Sequence, residues 1–260
     1  MDDITNIIVA APPEFLEAAS HTGYPLAYMV YRIGRGHHLF RAQGVKFVSG
    51  GVMVLDTGGY VGGGPSATLI LEILGECEKN KFSGIVLDTG GKLTSQLMLL
   101  IGHLASEAKK RGLKVYVHEI LSNASPHVVV LVPTALSGGT LSGHLSDAIE
   151  KYGHSRVALE VERIRMDFSL PATQGTGRAL TDEELRSLID EHHPQSFLSK
   201  DLCAYYFTYR DKKGIHFVLY DNGASIRRKL TVGGKLGIED AFIFYPHAAD
   251  IIDKIIGQSS

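Results

Sequence analysis

A six-residue pattern occurs twice in this chain. Residues 53–58 read Met-Val-Leu-Asp-Thr-Gly, residues 85–90 read Ile-Val-Leu-Asp-Thr-Gly, and each is followed by another glycine. Each copy is an apolar run that stops at a carboxylate and breaks on glycine, the pattern of a buried strand running into a loop. Asp56 and Asp88 are 32 residues apart, with a helical stretch between them. That spacing fits one strand-loop-helix-loop unit of a parallel sheet, which takes about 30 residues or more.

The rest of the chain extends the alternation. Strands are expected at 4–10, 26–33, 51–56, 83–88, 113–119, 127–132, 156–162 and 241–245. Helices are expected at 14–20, from Pro65-Ser66 to about 79, and at 94–111, 142–152, 181–192 and 223–235, with another at the C-terminus. Lys109-Lys110-Arg111-Gly112 is a helix stop, and Thr181-Asp182-Glu183-Glu184 is a capping box. Between the seventh and eighth strands the texture changes: a Gly/Thr/Ala-rich segment, a helix, and a hairpin around Asp211-Lys212-Lys213-Gly214. The simplest architecture is an α/β fold, a (β/α)8 TIM-type barrel spanning 1–260 with a small α+β insertion at 172–222. An open doubly wound sheet is the alternative. A length of 260 residues suits one such barrel.

Composition narrows the function classes. A net charge of −2 gives no reason to expect nucleic acid or an anionic membrane as partner. Cys77 and Cys203, far apart, suggest neither a disulfide framework nor a cysteine metal site, and no cofactor is expected. His37-His38 and His192-His193 lack metal-site spacing and read as surface residues. The acidic N-terminus with its short apolar run is no secretory signal, and no run approaches a membrane span, so the expectation is a soluble cytoplasmic protein.

Functional groups of a barrel gather where its strands end. Asp56, Asp88, His118, Glu119, Glu160 and Glu162 are the ionisable residues at those ends, with Arg32 and Arg35 after the second strand and Tyr245 closing the eighth. Glu160 and Glu162 share a face with Ala158, opposite Val157, Leu159 and Val161. The branched face would pack on helices and leave the glutamates pointing inward, where they need partners such as Arg163, Arg165 or Lys114. Two carboxylates about 5–9 Å apart can hydrolyse a glycosidic bond. Asp88 with Glu119, or Asp88 with Glu160, would serve as that catalytic pair, and Asp56, His118, Glu162, Arg32 and Tyr245 would bind substrate. The alternative is that these groups form interior ion pairs or cap loop amides.

Two further patterns carry candidate binding roles. The glycine-rich loop 58–64 before a helix could cradle a phosphate, although it matches neither the phosphate-loop nor the dinucleotide fingerprint. Tyr205, Tyr206, Phe207 and Tyr209 could offer sugar-stacking faces, half of them being packing residues by alternation.

The C-terminal third carries a resemblance. The run from Cys203 through Tyr205-Tyr206-Phe207, Tyr220-Asp221, Ser225 and Lys229 to Phe244 resembles the end of family 18 glycoside hydrolases, the chitinase-type barrels, especially bacterial spore and peptidoglycan forms. Phe82-Ser83-Gly84-Ile85-Val86-Leu87-Asp88 is similar to that family's fourth strand. The resemblance implies a glycan-directed protein, a partner containing N-acetylglucosamine, and a spore association. Its motif also shows departures. The family's alternating carboxylates fall on Ser83, Val86 and Asp88, its catalytic glutamate falls on Gly90, and its eighth-strand tryptophan falls on Phe244. The Tyr-Asp ending its sixth strand is replaced by Val132-Pro133-Thr134. The family's substrate-assisted mechanism therefore does not transfer. What remains is either a non-catalytic carbohydrate-binding relative or a diverged hydrolase of amino-sugar glycans. A small-molecule enzyme using the glycine-rich loop for a phosphorylated or carboxylated substrate, and a protein-interaction scaffold, are the readings from other classes. Asp-Thr-Gly also resembles the paired motif of aspartic proteases, but 32 residues are too few for a lobe of that fold.

Overall fold

The computed structural model describes residues 4–34, 36–45, 47, 50–63, 67–91, 93–172 and 176–256. Arg35 and the Gly64-Pro65-Ser66 end of the glycine-rich loop lie outside them. Strands β1 (Asn6–Ala11) and β2 (Leu26–Ile33) are followed by the short β3 (Leu39–Arg41), then by β4 (Val52–Asp56), β5 (Gly84–Asp88), β6 (Lys114–His118), β7 (Val128–Pro133) and β8 (Val157–Val161). Strands β9 (Arg165–Ser169), β10 (Arg178–Ala179), β11 (Phe197–Ser199), β12 (Ala204–Asp211) and β13 (Gly214–Tyr220) build a separate antiparallel sheet, and β14 (Asp240–Phe244) returns to the first. The order β1-β14-β8-β7-β6-β5-β4-β2, with β1 also paired to β2, closes eight parallel strands into a barrel.

Side-chain alternation explains the closure. Residues such as Ile85, Leu87, Val157 and Leu159 face outward into the large core under the helices. Their neighbours Val54, Val86, Leu131, Ala158 and Phe242 fill the barrel itself. The helices over the outer face are α1 (Leu16–Ser20), α2 (Ala67–Asn80), α3 (Ser95–Lys110), α4 (Leu141–Tyr152) and, after the insertion's α5 (Asp182–His192), α6 (Gly223–Lys235). The chain ends on α7 (Tyr245–Ala248) and α8 (Ile252–Ile256). One connection is thinner: β6 passes to β7 through a 3-10 turn at Glu119–Ala124 instead of a full helix.

The floor of the barrel is a polar knot. Asp240, nearly inaccessible, accepts hydrogen bonds from Lys114 Nζ (2.6 Å), Asn6 Nδ2 (2.8 Å) and the Tyr116 hydroxyl (3.0 Å). Gly84 makes room for it, because a Cβ there would lie 2.8 Å from both the Lys114 carbonyl oxygen and the Tyr116 ring. This is the N-terminal face of the barrel, where such groups serve stability.

The insertion's sheet begins at Arg165, ahead of the 172 boundary drawn from composition. Phe207 and Val218 form its core with Leu180 and Leu185 of the segment leading into α5 and of α5 itself. At its neck, Asp221, Ser225 and Lys229 are completely buried. Lys229 Nζ donates to Asp221 Oδ2 (2.5 Å), the Ser225 hydroxyl donates to Oδ1 (2.7 Å), and the Ile164 amide donates to Oδ2 (2.9 Å). The chain leaving the barrel at Ile164 and returning at Asp221 is thus tied to α6 by one carboxylate.

Candidate active site at the barrel mouth

The twin strands end side by side, with Asp56 and Asp88 in register. The Thr57 amide and hydroxyl both donate to the Asp88 carbonyl oxygen, at 2.8 and 3.1 Å. Each aspartate also caps its own turn: Asp56 Oδ1 accepts from the Gly58 amide (2.7 Å) and Asp88 Oδ1 from the Gly90 amide (3.0 Å).

Asp88 faces a cavity of about 280 Å³ at the C-terminal mouth, shared with His118, Glu160 and Glu162. Its walls are Val86, Leu131, Phe242 and Phe244, and His247 of α7 closes one side. Alternation on β8 past Ala158 aims both glutamates inward. Neither takes the partner expected from sequence. Arg163 pairs with Asp182 and Asp250, Arg165 with Asp182, and Lys114 with Asp240 at the opposite end of the barrel. The side chain facing Glu160 is instead His118, with Nδ1 3.3 Å from Oε2.

The charge states follow from these contacts. The hydrogen bond to Glu160 raises the His118 pKa above the ordinary histidine value, against the opposing effect of burial. Glu162 opens to solvent at the rim, yet the cavity walls desolvate its carboxyl and, with the Glu160 charge beside it, raise its pKa. His247 is shifted the other way, lowered by burial and by Arg165 and Arg163. Because the His118 pKa is raised by folding, its pairing stabilises the protein below the ordinary histidine pKa of about 6.5. That contribution is lost as the pH rises through the higher folded value. Glu160→Gln is expected to bring the His118 midpoint down, read from its ring protons by NMR titration; a midpoint that stays in place would assign the shift to another group.

Four residues named from sequence, Glu119, Tyr245, Arg32 and Asp56, lie outside this cavity. Glu119 begins the 3-10 turn and is exposed, its Oε1 accepting from the Tyr152 hydroxyl (2.8 Å) and Lys151 Nζ (3.2 Å), so the structure does not bring it together with Asp88. Tyr245 is buried in the outer core beside Phe15, with ring centroids 6.0 Å apart, while its neighbour Phe244 lines the mouth together with Phe242. Arg32 lines a neighbouring cavity of about 480 Å³ with Asp56 and Phe40. A register shift in β2 between Tyr28 and Tyr31 precedes Arg32, and such bulges re-aim side chains.

His247, Phe242 and Phe244 are the mouth residues that were not assigned a role from sequence. Their position at the end of strand eight was the available signal. The insertion's aromatics pack on one another: Phe207 is inaccessible, Tyr206 stacks on Phe217, and Tyr209 stacks on His216 while donating to Asp167. In the glycine-rich loop, Gly58 spends its amide on Asp56, and a Cβ on Gly59 would overlap the Ile33 carbonyl oxygen. Among the described residues no group of three His, Cys, Asp or Glu is placed to hold a metal ion, and no helix is long and apolar enough to cross a membrane.

No family model and no curated protein sequence matches the chain. Solved structures do. The spore cortex-lytic enzyme SleL of Bacillus megaterium QM B1551 superposes with a TM-score of 0.64 at 14% identity, over 98% of this chain and 73% of its own. A chitinase from Chromobacterium violaceum ATCC 12472 gives 0.62 at 15% identity, over 96% of each chain. The family GH18 chitinase of Cycas revoluta, solved with allosamidin, gives 0.59 at 14% identity, over 97% and 98%. The fold is the (β/α)8 barrel that these proteins share. Identities this low establish that architecture and nothing finer.

Proposed function

We propose that the barrel mouth binds amino-sugar glycans. The observation that carries this reading is the convergence of Asp88, His118, Glu160 and Glu162 on one cavity with the apolar faces of Phe242 and Phe244. Carboxylates accept hydrogen bonds from sugar hydroxyls and from an acetamido N–H, while aromatic faces pack against the apolar side of a pyranose. The cavity, about 280 Å³, lies at the lower edge of the roughly 300–1,000 Å³ of small-molecule sites and suits one ring of an oligomer. The chitinases and the cortex-lytic enzyme that share the fold bear names pointing to polymers of this kind, which makes N-acetylglucosamine oligomers and peptidoglycan fragments the ligands to try first.

Calorimetric titration with N-acetylchitooligosaccharides tests the proposal. Asp88→Ala is expected to weaken binding about tenfold, equivalent to ~1.4 kcal/mol. Absence of binding, or binding that Asp88→Ala leaves unchanged in a folded protein, would place the ligand elsewhere.

A further inference from the structure

The mouth cavity adjoins a second one. Glu162 and His247 line both the mouth and a groove of about 340 Å³ running between the barrel rim and the insertion, past Arg163, Arg165 and Leu180. On the reading of the mouth as a glycan site, an oligomer with one ring in the mouth and the next in this groove carries the joining oxygen over that seam.

Two ionisable side chains stand there, and they differ in what they can do. Burial and the Arg165 and Arg163 charges lower the His247 pKa, which favours the neutral imidazole. Desolvation and Glu160 act on Glu162 in the sense that retains a proton. The groups around Glu162 are Glu160 on β8, His118 on β6 and His247 on α7, with Arg163 and Arg165 along the groove and the buried Lys229 of α6 acting from further off. The first reinforces proton retention, while His118 and Lys229 oppose it. Asp88, on β5, lies three strands around the barrel from β8, so it approaches a ring in the mouth from another wall.

We propose that Glu162 is the proton donor for hydrolysis of the glycosidic bond held over this seam, with Asp88 as the base and His118–Glu160 as a positioning pair. The Glu162 carboxyl proton passes to the glycosidic oxygen, and the C1–O bond breaks with its electron pair going to that oxygen. Water forms the new bond to C1 and gives its proton to the Asp88 carboxylate. Asp88 then releases that proton to solvent and Glu162 takes one up, so one water is consumed and both residues are restored. The donor then stands just past the seventh barrel strand, not at Gly90 after the fourth.

The test is release of new reducing ends from chitin oligomers and peptidoglycan fragments between pH 4 and 9, measured beside oligomer binding. Glu162→Gln is expected to lower kcat at least about 100-fold, the lower bound for a general acid, with KM changed only a few-fold. Glu160→Gln is expected to move the alkaline limb of the kcat profile to lower pH, because the like charge that helps Glu162 keep its proton is gone; a merely structural role for Glu160 would not move that limb. Oligomer binding without hydrolysis at any pH, or wild-type kcat in Glu162→Gln, overturns the assignment while leaving the binding reading intact. Absence of binding overturns both.

Discussion

Asp221→Ala is expected to destabilise the protein by about 3–5 kcal/mol, the usual cost of stripping the partner from a buried charge. Lys229 has no accessible surface, and its ammonium meets Asp221 Oδ2 at 2.5 Å. The same carboxylate accepts from the Ser225 hydroxyl and the Ile164 amide. Removing it leaves a buried ammonium, a buried hydroxyl and a buried amide short of one acceptor. For a chain of this size the midpoint of thermal unfolding should fall by on the order of 10 °C. The double variant Asp221→Ala/Lys229→Met should recover most of the loss, since replacing a buried pair by apolar groups is often neutral. A single-variant loss below about 1 kcal/mol would mean that Lys229 finds water or sheds its charge when Asp221 is removed. Because Asp221 joins the neck of the insertion to α6, hydrogen exchange in the single variant should rise first in β9 and β13.

The second large effect is at the barrel floor. Asp240→Ala removes the common acceptor of Lys114, Tyr116 and Asn6 and is expected to destabilise by about 1–3 kcal/mol, read from denaturant unfolding. Most of that belongs to the Tyr116 hydroxyl, which is buried against Phe242; Lys114 is more than one-third exposed and can turn to water. Adding Tyr116→Phe should recover part of the loss. Glycan binding at the mouth should be unaffected, because the floor and the mouth are opposite ends of the barrel. Loss of binding in Asp240→Ala, with the fold retained, would contradict that separation.

The barrel strands could be read from sequence because parallel-barrel strands are apolar runs stopped by glycine, proline or a charge. The twin Asp-Thr-Gly segments showed this most clearly, and the inward direction of Glu160 and Glu162 followed from their sharing a face with Ala158. What escaped depended on local geometry that alternation does not encode. Glu119 follows His118 by one residue, but the 3-10 turn starts there and carries its side chain toward Tyr152. Tyr245 follows Phe244, but Pro246 sits in the first turn of α7, so Tyr245 already belongs to a helix. Arg32 follows a shift of register in β2. β9 was missed because Arg165-Met-Asp-Phe-Ser has the polarity of a loop. Its Asp167 is instead held by His216, 3.0 Å away and 49 residues along the chain, and by Tyr209. Partners that distant leave no periodic trace. For the same reason the groove shared by Glu162 and His247 emerges only when the insertion stands beside the rim.

The central claim is that a sugar ring occupies the mouth among Asp88, His118 and Glu160. A crystal structure with tri-N-acetylchitotriose bound tests it most directly. The predicted result is one ring in the mouth against Phe242 or Phe244, with its neighbour in the groove and the joining oxygen beside Glu162. An oligomer bound away from these residues, or a mouth still free of sugar at saturating concentration, would contradict it.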